Sequence, residues 1–202
     1  MKINETDFPP ELSDDRIILR KLTDEDKKAV FEIYSDEESS KLDDWVPFKT
    51  VEEAEALIAQ SRKSFIDNSE FRFGIEDAAR RSLVGSCGIF GFDEWNRKCM
   101  IFYQIHHNEH NKGYATDAVR LLVYFIFEKL HANRIEAFVT PGNTASVRVL
   151  EKNGFKNEGI LREMEFYKDK FWDGISMGMI RKDYDELAAC RNDSDKRDDP
   201  SE

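Results

Sequence analysis

The octapeptide His110-Asn111-Lys112-Gly113-Tyr114-Ala115-Thr116-Asp117 decides how this chain is read. Before it, Met100-Ile101-Phe102-Tyr103-Gln104-Ile105 reads as a strand. After it, Ala115 to Leu130 carries apolar residues at helical spacing. A polar, glycine-bearing loop between a strand and a helix leaves backbone N–H groups without partners at the helix start. The helix dipole adds partial positive charge at the same place. That combination suits a phosphate or pyrophosphate. Gly113 lets the backbone pass close to a ligand, and Lys112 offers a point charge. A glycine there also serves a plain turn, so the octapeptide alone leaves both readings open.

Working outward, Arg134-Ile135-Glu136-Ala137-Phe138-Val139 reads as a second strand. Pro141-Gly142-Asn143-Thr144-Ala145-Ser146 follows, then a short helix, then Lys152-Asn153-Gly154-Phe155. In this order the elements resemble the GCN5-related N-acetyltransferase superfamily. Within it they are most similar to the ribosomal-protein N-terminal acetyltransferase branch. The resemblance runs from about Arg16 to Tyr184. It is sharpest at the Gly113-Tyr114-Ala115-Thr116 loop and at the Asn-x-x-Ser and Lys-x-Gly-Phe pair.

Composition sets outer bounds. The chain has 202 residues, 40% of them hydrophobic, enough for one core that needs no staples. Charged residues make up 35% and the net charge is -11, which disfavours unspecific nucleic-acid binding and suits a cationic partner. Acidity also simply keeps a protein soluble. Cys87, Cys99 and Cys190 form neither a metal spacing nor a disulfide framework, which fits a reducing compartment. With no signal pattern at Met1 and no long apolar run, the expectation is a cytoplasmic protein without a membrane partner.

Residues 1–13 are expected to be a flexible arm and 188–202 a disordered charged tail, with one domain over 14–187. Within it, Arg16–Leu22, Phe71–Ile75, Leu83–Phe92 and Met100–Ile105 read as strands, the last three as an antiparallel meander. Phe166–Tyr167 and Ile175–Ile180 close the sheet. A helix capped by Thr23 or Asp24, with an apolar stripe of Ala29, Val30, Ile33 and Tyr34, is expected first, then helices over Val51–Asn68, Ala115–Leu130 and Thr144–Asn153. Ser35 to Thr50 reads as a loop rich in apolar residues, either tucked onto the core or walling a pocket. The strand–helix–strand unit from Met100 to Val139 should be a right-handed crossover. The fold class is α/β: a mixed, mostly antiparallel sheet of seven strands with helices on both faces.

The resemblance implies more. The two central parallel strands splay, and the pantetheine arm of acetyl-CoA, the acetyl donor, lies between them. Gln104, Ile105 and His106 run along that arm. His110, Asn111, Lys112, Gly113, Tyr114, Ala115 and Thr116 hold the diphosphate. Asn143, Ser146 and Lys152 complete the cofactor contacts. The superfamily's usual tyrosine acid stands four residues before the glycine of the Gly-Phe pair; here that position is Leu150. Ser146 takes over beside the sulfur. The glutamate common on the fourth strand is replaced by Met100, which moves the general base to Glu165, with Asp173, Glu94, Glu32 or a water chain as competitors. Trp45, Phe48 and Tyr103 would line the site of the amine acceptor, a protein N-terminus or a small molecule such as a polyamine. An α-amine, with its pKa near 8 against about 10.4 for lysine, asks less of a weak base.

Three other readings stand beside this one. His106, His107, His110 and Glu109 have metal-ligand chemistry, but adjacent histidines in a strand face opposite sides, so no metal is expected. A non-catalytic acyl-CoA-binding module would fit the lost tyrosine and glutamate. A nucleotide-binding role for the Gly113 loop lacks the spacing of phosphate-loop motifs. Monomer and homodimer both remain open.

Overall fold

A computed structural model of the chain describes residues 11–43 and 45–195. Among them eight strands form one sheet: β1 Glu11–Ser13, β2 Ile17–Lys21, β3 Glu70–Asp77, β4 Ser82–Asp93, β5 Lys98–Ile105, β6 Arg134–Val139, β7 Lys156–Tyr167 and β8 Lys170–Ile180. Their order is β1-β2-β3-β4-β5-β6-β8-β7, and only β5 and β6 run parallel. Six helices accompany them: α1 Lys27–Tyr34, α2 Glu37–Ser40, α3 Val51–Asp67, α4 Tyr114–Tyr124, α5 Thr144–Lys152 and α6 Arg181–Asp195.

The count of seven strands is corrected to eight. The extra strand comes from the arm expected to be flexible: Glu11–Ser13 pairs with β2, Leu12 opposite Leu19. Three residues are too few to show alternation. At the other end, the stretch from Ala188 expected to be disordered is helical as far as Asp195. Tyr184 and Leu187 pack on the core, and Tyr184 stacks on Phe127, so α6 is anchored at its start. Residues 1–10 and 196–202 lie outside the described residues.

The two faces of the sheet carry separate cores. On one, Val119 and Leu122 of α4, with Phe125 and Ile126 just beyond it, share a core with Phe71, Phe73, Ile89 and Ile101. Each such side chain fully withdrawn from water contributes about 1.5–3 kcal/mol. On the other face, Val30 and Ile33 of α1 meet Ala54 and Ile58 of α3. Thr50 and Glu53 close a capping box at the start of α3, which fixes where the loop after α2 ends. Beyond Tyr124, the helix expected to run to Leu130 widens into a π-helical turn over Phe125–Lys129. Arg181 stabilises it by donating to Phe127 O and to Glu128 at 2.7 Å.

What positions the site is the parallel pair. β5 and β6 are in register at only three places: Lys98 with Arg134, Cys99 with Ile135 and Met100 with Glu136. Past these, β5 stays on β4 as far as Ile105 opposite Gly85, while β6 stays on β8 as far as Val139 opposite Ile175. The strands therefore diverge toward their C-terminal ends. The edge of β5 that faces β6 is left without a strand partner from Ile101 to Ile105. Gly91, at φ +62°, sits where β4 slips register against β5 between Phe90 and Asp93.

Candidate functional site

At the mouth of the gap, β5 ends at Ile105 and a 3-10 turn, His107–Glu109, leads into the loop. His110 Nε2 lies 3.0 Å from Ile105 O and ties the loop back to the strand. Gly113 is the N-cap of α4, with φ +89° and ψ -5°. No side chain caps this helix start. The first bonded amide is that of Asp117, which donates to Gly113 O at 3.1 Å. Among the described residues, none accepts from the N–H groups of Gly113, Tyr114, Ala115 or Thr116. Four converging bare amides at the positive end of a helix dipole are a fit for a diphosphate.

The helix start is held by Tyr114. Its hydroxyl donates to Asp77 Oδ2, at the end of β3, at 2.5 Å, and accepts from Arg80 at 3.0 Å. Arg80 also forks onto Glu109, and Lys112 reaches Glu109 at 3.0 Å. Arg16 donates to Asp117 at 2.8 Å and to Lys112 O at 2.8 Å, with its guanidinium 5.7 Å from the Tyr114 ring. The loop is thus ringed by cations, each already matched to a carboxylate.

Hydrogen bonding from Tyr114, reinforced by Arg80, holds the Asp77 carboxyl down at about 2. The Arg80 fork does the same for Glu109, also about 2. Depressed carboxyls contribute stability that is present above their unfolded values near 4. It is lost as pH falls toward the folded values. The expected outcome is a loss on the order of 1–2 kcal/mol per group between pH of about 4 and about 2. Asp77→Asn should flatten that part of the profile. Melting midpoints of both proteins across the window check it, and parallel profiles would count against it.

Inside the gap, Asn143 caps α5 by accepting from Ser146 N–H at 3.1 Å. Ser146 projects its hydroxyl to 2.5 Å from the phenol oxygen of Tyr103, which also lies 3.1 Å from Ser146 O. Tyr103 spans from β5 to the first turn of α5. Burial pushes its phenol far above the ordinary value; the Ser146 hydrogen bond opposes this and the Asp43 charge reinforces it. Leu150 is fully buried, so no donor stands there. Lys152 is exposed at the end of α5, beside Asn153, whose amide donates to Thr116 O and ties that end to the first turn of α4.

The loop from Ser35 to Thr50 contains the short α2, and its Trp45 and Phe48 tuck onto the α1–α3 core. Trp45 and Phe48 pack edge-on and stacked against Tyr34, at 5.4 and 5.3 Å between centroids. Farther along, Lys168 at the β7–β8 turn donates to Ser40 O and to Asp43 O. Leu42 approaches Gly142, just before α5. These contacts tie the loop to the β7–β8 turn and to the segment before α5. The Trp45 indole N–H is buried there without a protein partner among the described residues.

The candidate bases are sorted by the same geometry. β7 is far longer than the two residues expected, but it is an exposed edge strand with register slips at Asn157/Gly159 and Leu161/Glu165. Those slips erase the alternation that would have revealed it. After the second slip, Glu165 and Tyr167 share a face of the hairpin. Tyr167 stacks on Trp172 and reaches Thr140, at the end of β6, at 3.0 Å. Glu165 is half-buried on that face. Asp173 is taken up in the slip, accepting from Glu163 N–H at 2.8 Å. Glu94 lies in the β4–β5 turn, at the opposite end of the strands, and leaves the list. Glu32 lies near His106 at the strand end. Asp43 was missed; its position between the aromatic residues and the Lys168 contact becomes visible only once the loop is closed. The His106 and His107 rings stack at 4.4 Å rather than facing apart, because His107 has left the strand.

Comparisons with known proteins agree with this geometry. The model of the acetyltransferase (GNAT) domain matches residues 16–156. The chain is 32% identical over 170 residues to p20 of Bacillus licheniformis, named an uncharacterized N-acetyltransferase, covering 84% of this chain and 96% of that one. It is 28% identical over 131 residues to Bacillus subtilis YdaF, whose name assigns it provisionally to the ribosomal N-acetyltransferases, covering 65% and 70%. It shares its fold with the spermidine N-acetyltransferase of Vibrio cholerae, solved with CoA and spermine, at a TM-score of 0.73 and 24% identity over 85% of this chain and 99% of that one. With a domain match that spans the splayed strands and both helix starts, the chain belongs to the GNAT family of acetyltransferases, enzymes that take their acetyl group from acetyl-CoA.

Proposed function

We propose that this enzyme acetylates the α-amine of a protein or peptide N-terminus in the cytoplasm. The observation that carries the reading is the Tyr103–Ser146 hydroxyl pair, which joins β5 to the first turn of α5 beside the diverging strands. When bound, acetyl-CoA supplies the activated acetyl group. The amides of Gly113 to Thr116 hold its diphosphate, and the free edge of β5 orients the arm that follows. Trp45 and Phe48 keep water from the acceptor side. Glu165, or Asp43 on the loop, would accept the ammonium proton. Ser146 faces the sulfur.

The acceptor argument is one of strength. An α-amine, deprotonated near pH 8, needs a weaker base than a lysine side chain with its pKa of about 10.4. A polyamine is the second reading, favoured by the net charge of -11. Thiol release from acetyl-CoA decides between them. Peptides with a free N-terminus are expected to turn over at least about tenfold faster, by kcat/KM, than spermidine or an N-blocked lysine peptide. Spermidine turning over faster contradicts the α-amine reading.

A further inference from the structure

We infer that Arg16 is a positioning residue for the cofactor loop: its guanidinium locks the Lys112–Gly113 peptide so that the Gly113 N–H stays turned toward the diphosphate. One arm of the guanidinium donates to Lys112 O at 2.8 Å, and the other donates to Asp117 Oδ2 at 2.8 Å. The fork therefore grips the loop on both sides of Gly113, once just before it and once in the first turn of α4.

The direction of the glycine amide follows from the peptide plane. In a trans peptide the C=O and the N–H of one rigid unit point opposite ways. Lys112 O and Gly113 N–H belong to one such unit. With the carbonyl held on Arg16, the N–H must point away from the guanidinium, and among the described residues nothing accepts from it. A lock is needed because Gly113, at φ +89°, follows Asn111 at φ +63° in a loop of few backbone bonds. Glycine takes negative φ about as readily as positive, so the plane before it can turn over at little cost. Turned over, it would present the Lys112 carbonyl to the diphosphate oxygens, and a donor would become a repelling acceptor.

Arg16 is itself set before any ligand arrives. Its N–H donates to Asp14 Oδ1 at 2.7 Å, and the Ile17 N–H shares that oxygen at 2.8 Å. Arg120 of α4 donates to the other Asp14 oxygen. The Arg16 carbonyl accepts from Ala78 N–H, just beyond β3, at 2.9 Å. The charge of the guanidinium is matched by Asp117, so what Arg16 adds at the helix start is direction more than charge. A lysine would keep the charge but not two bonds in one fixed plane.

The lock depends on the diphosphate lying at the start of α4; the acceptor does not enter. Arg16→Lys separates direction from charge. By calorimetry its affinity for coenzyme A is expected to fall about tenfold. Its affinity for dephospho-coenzyme A, which keeps the diphosphate and lacks the ribose 3′-phosphate, should fall by the same factor. In amide NMR at saturating coenzyme A, the response of Gly113 should shrink while Ala115 and Thr116 shift as in wild type. The unliganded variant should melt within about 3 °C of wild type, because a half-exposed ion pair contributes little. Asp117→Ala gives a test by sign. Removing a carboxylate near a diphosphate should tighten binding if only charge matters. Releasing one arm of the fork should instead weaken it, by about threefold. Undiminished coenzyme A affinity in Arg16→Lys overturns the inference, and so does tighter binding by Asp117→Ala. A loss for coenzyme A but not for dephospho-coenzyme A would make Arg16 a direct 3′-phosphate contact and overturn it. An equal loss at all four amides with a lowered melting point would reduce Arg16 to a structural contact and overturn it too. If the wild-type amides of Gly113 to Thr116 do not respond at all, the placement of the diphosphate fails and the lock with it, while the choice of acceptor is untouched.

Discussion

Gly113→Glu is expected to lower the affinity for coenzyme A at least about a hundredfold while leaving the fold intact. Two effects act together. The residue sits at φ +89°, a conformation that costs an L-residue about 1–2 kcal/mol. A new Cβ would come within 3.2 Å of Arg16 Nη1, a flexible contact that can give way. The larger effect is charge. A carboxylate a few ångströms from a diphosphate loses several kcal/mol at the effective dielectric of a protein surface, and half of that is already a factor of ten to a hundred. Gly113→Ala keeps the backbone cost without the charge and should lose only about tenfold. Calorimetry measures both affinities, and a melting scan checks the fold. Retained affinity in the glutamate variant would refute the placement of the diphosphate.

Ser146→Ala is expected to cut kcat about a hundredfold, with the dissociation constant for coenzyme A at neutral pH changed less than about threefold. The hydroxyl is not needed to hold the helix, because the cap is made by Asn143 to the Ser146 backbone N–H, which alanine retains. What alanine removes is the hydroxyl that lies 2.5 Å from the Tyr103 phenol oxygen. A group that acts only when charge develops on sulfur should affect kcat and kcat/KM alike and leave ground-state binding alone. If neither parameter changes, Ser146 is only part of a helix start.

The octapeptide and β6 were legible in the sequence because they are local. Arg134–Val139 is a strand of the length expected, and Gly113 needs its positive φ for reasons contained within five residues. The Asn143 cap was legible for the same reason. What escaped depends on partners far along the chain. Leu12 joins the sheet only because Leu19 is there to pair with it. The alternation of β7 is broken by its two register slips, so an edge strand of this kind looks like a loop. The π-helical turn after Tyr124 is set by Arg181, more than fifty residues later. Tyr103 and Ser146 each stood among the candidates, but on opposite sides of the site. The hydrogen bond between them required the gap to be closed. Asp43 had no local signal, since an acid in an acidic loop is unremarked until Lys168 brings that loop over the strands.

The most direct test is a titration of isotope-labelled protein with coenzyme A, followed through its amide NMR signals. The amides of Gly113, Tyr114, Ala115 and Thr116 should shift together and saturate, because the diphosphate takes the acceptor place that no protein atom fills. If these four stay fixed at millimolar coenzyme A, while signals elsewhere move or none do, the start of α4 is not where the donor is held.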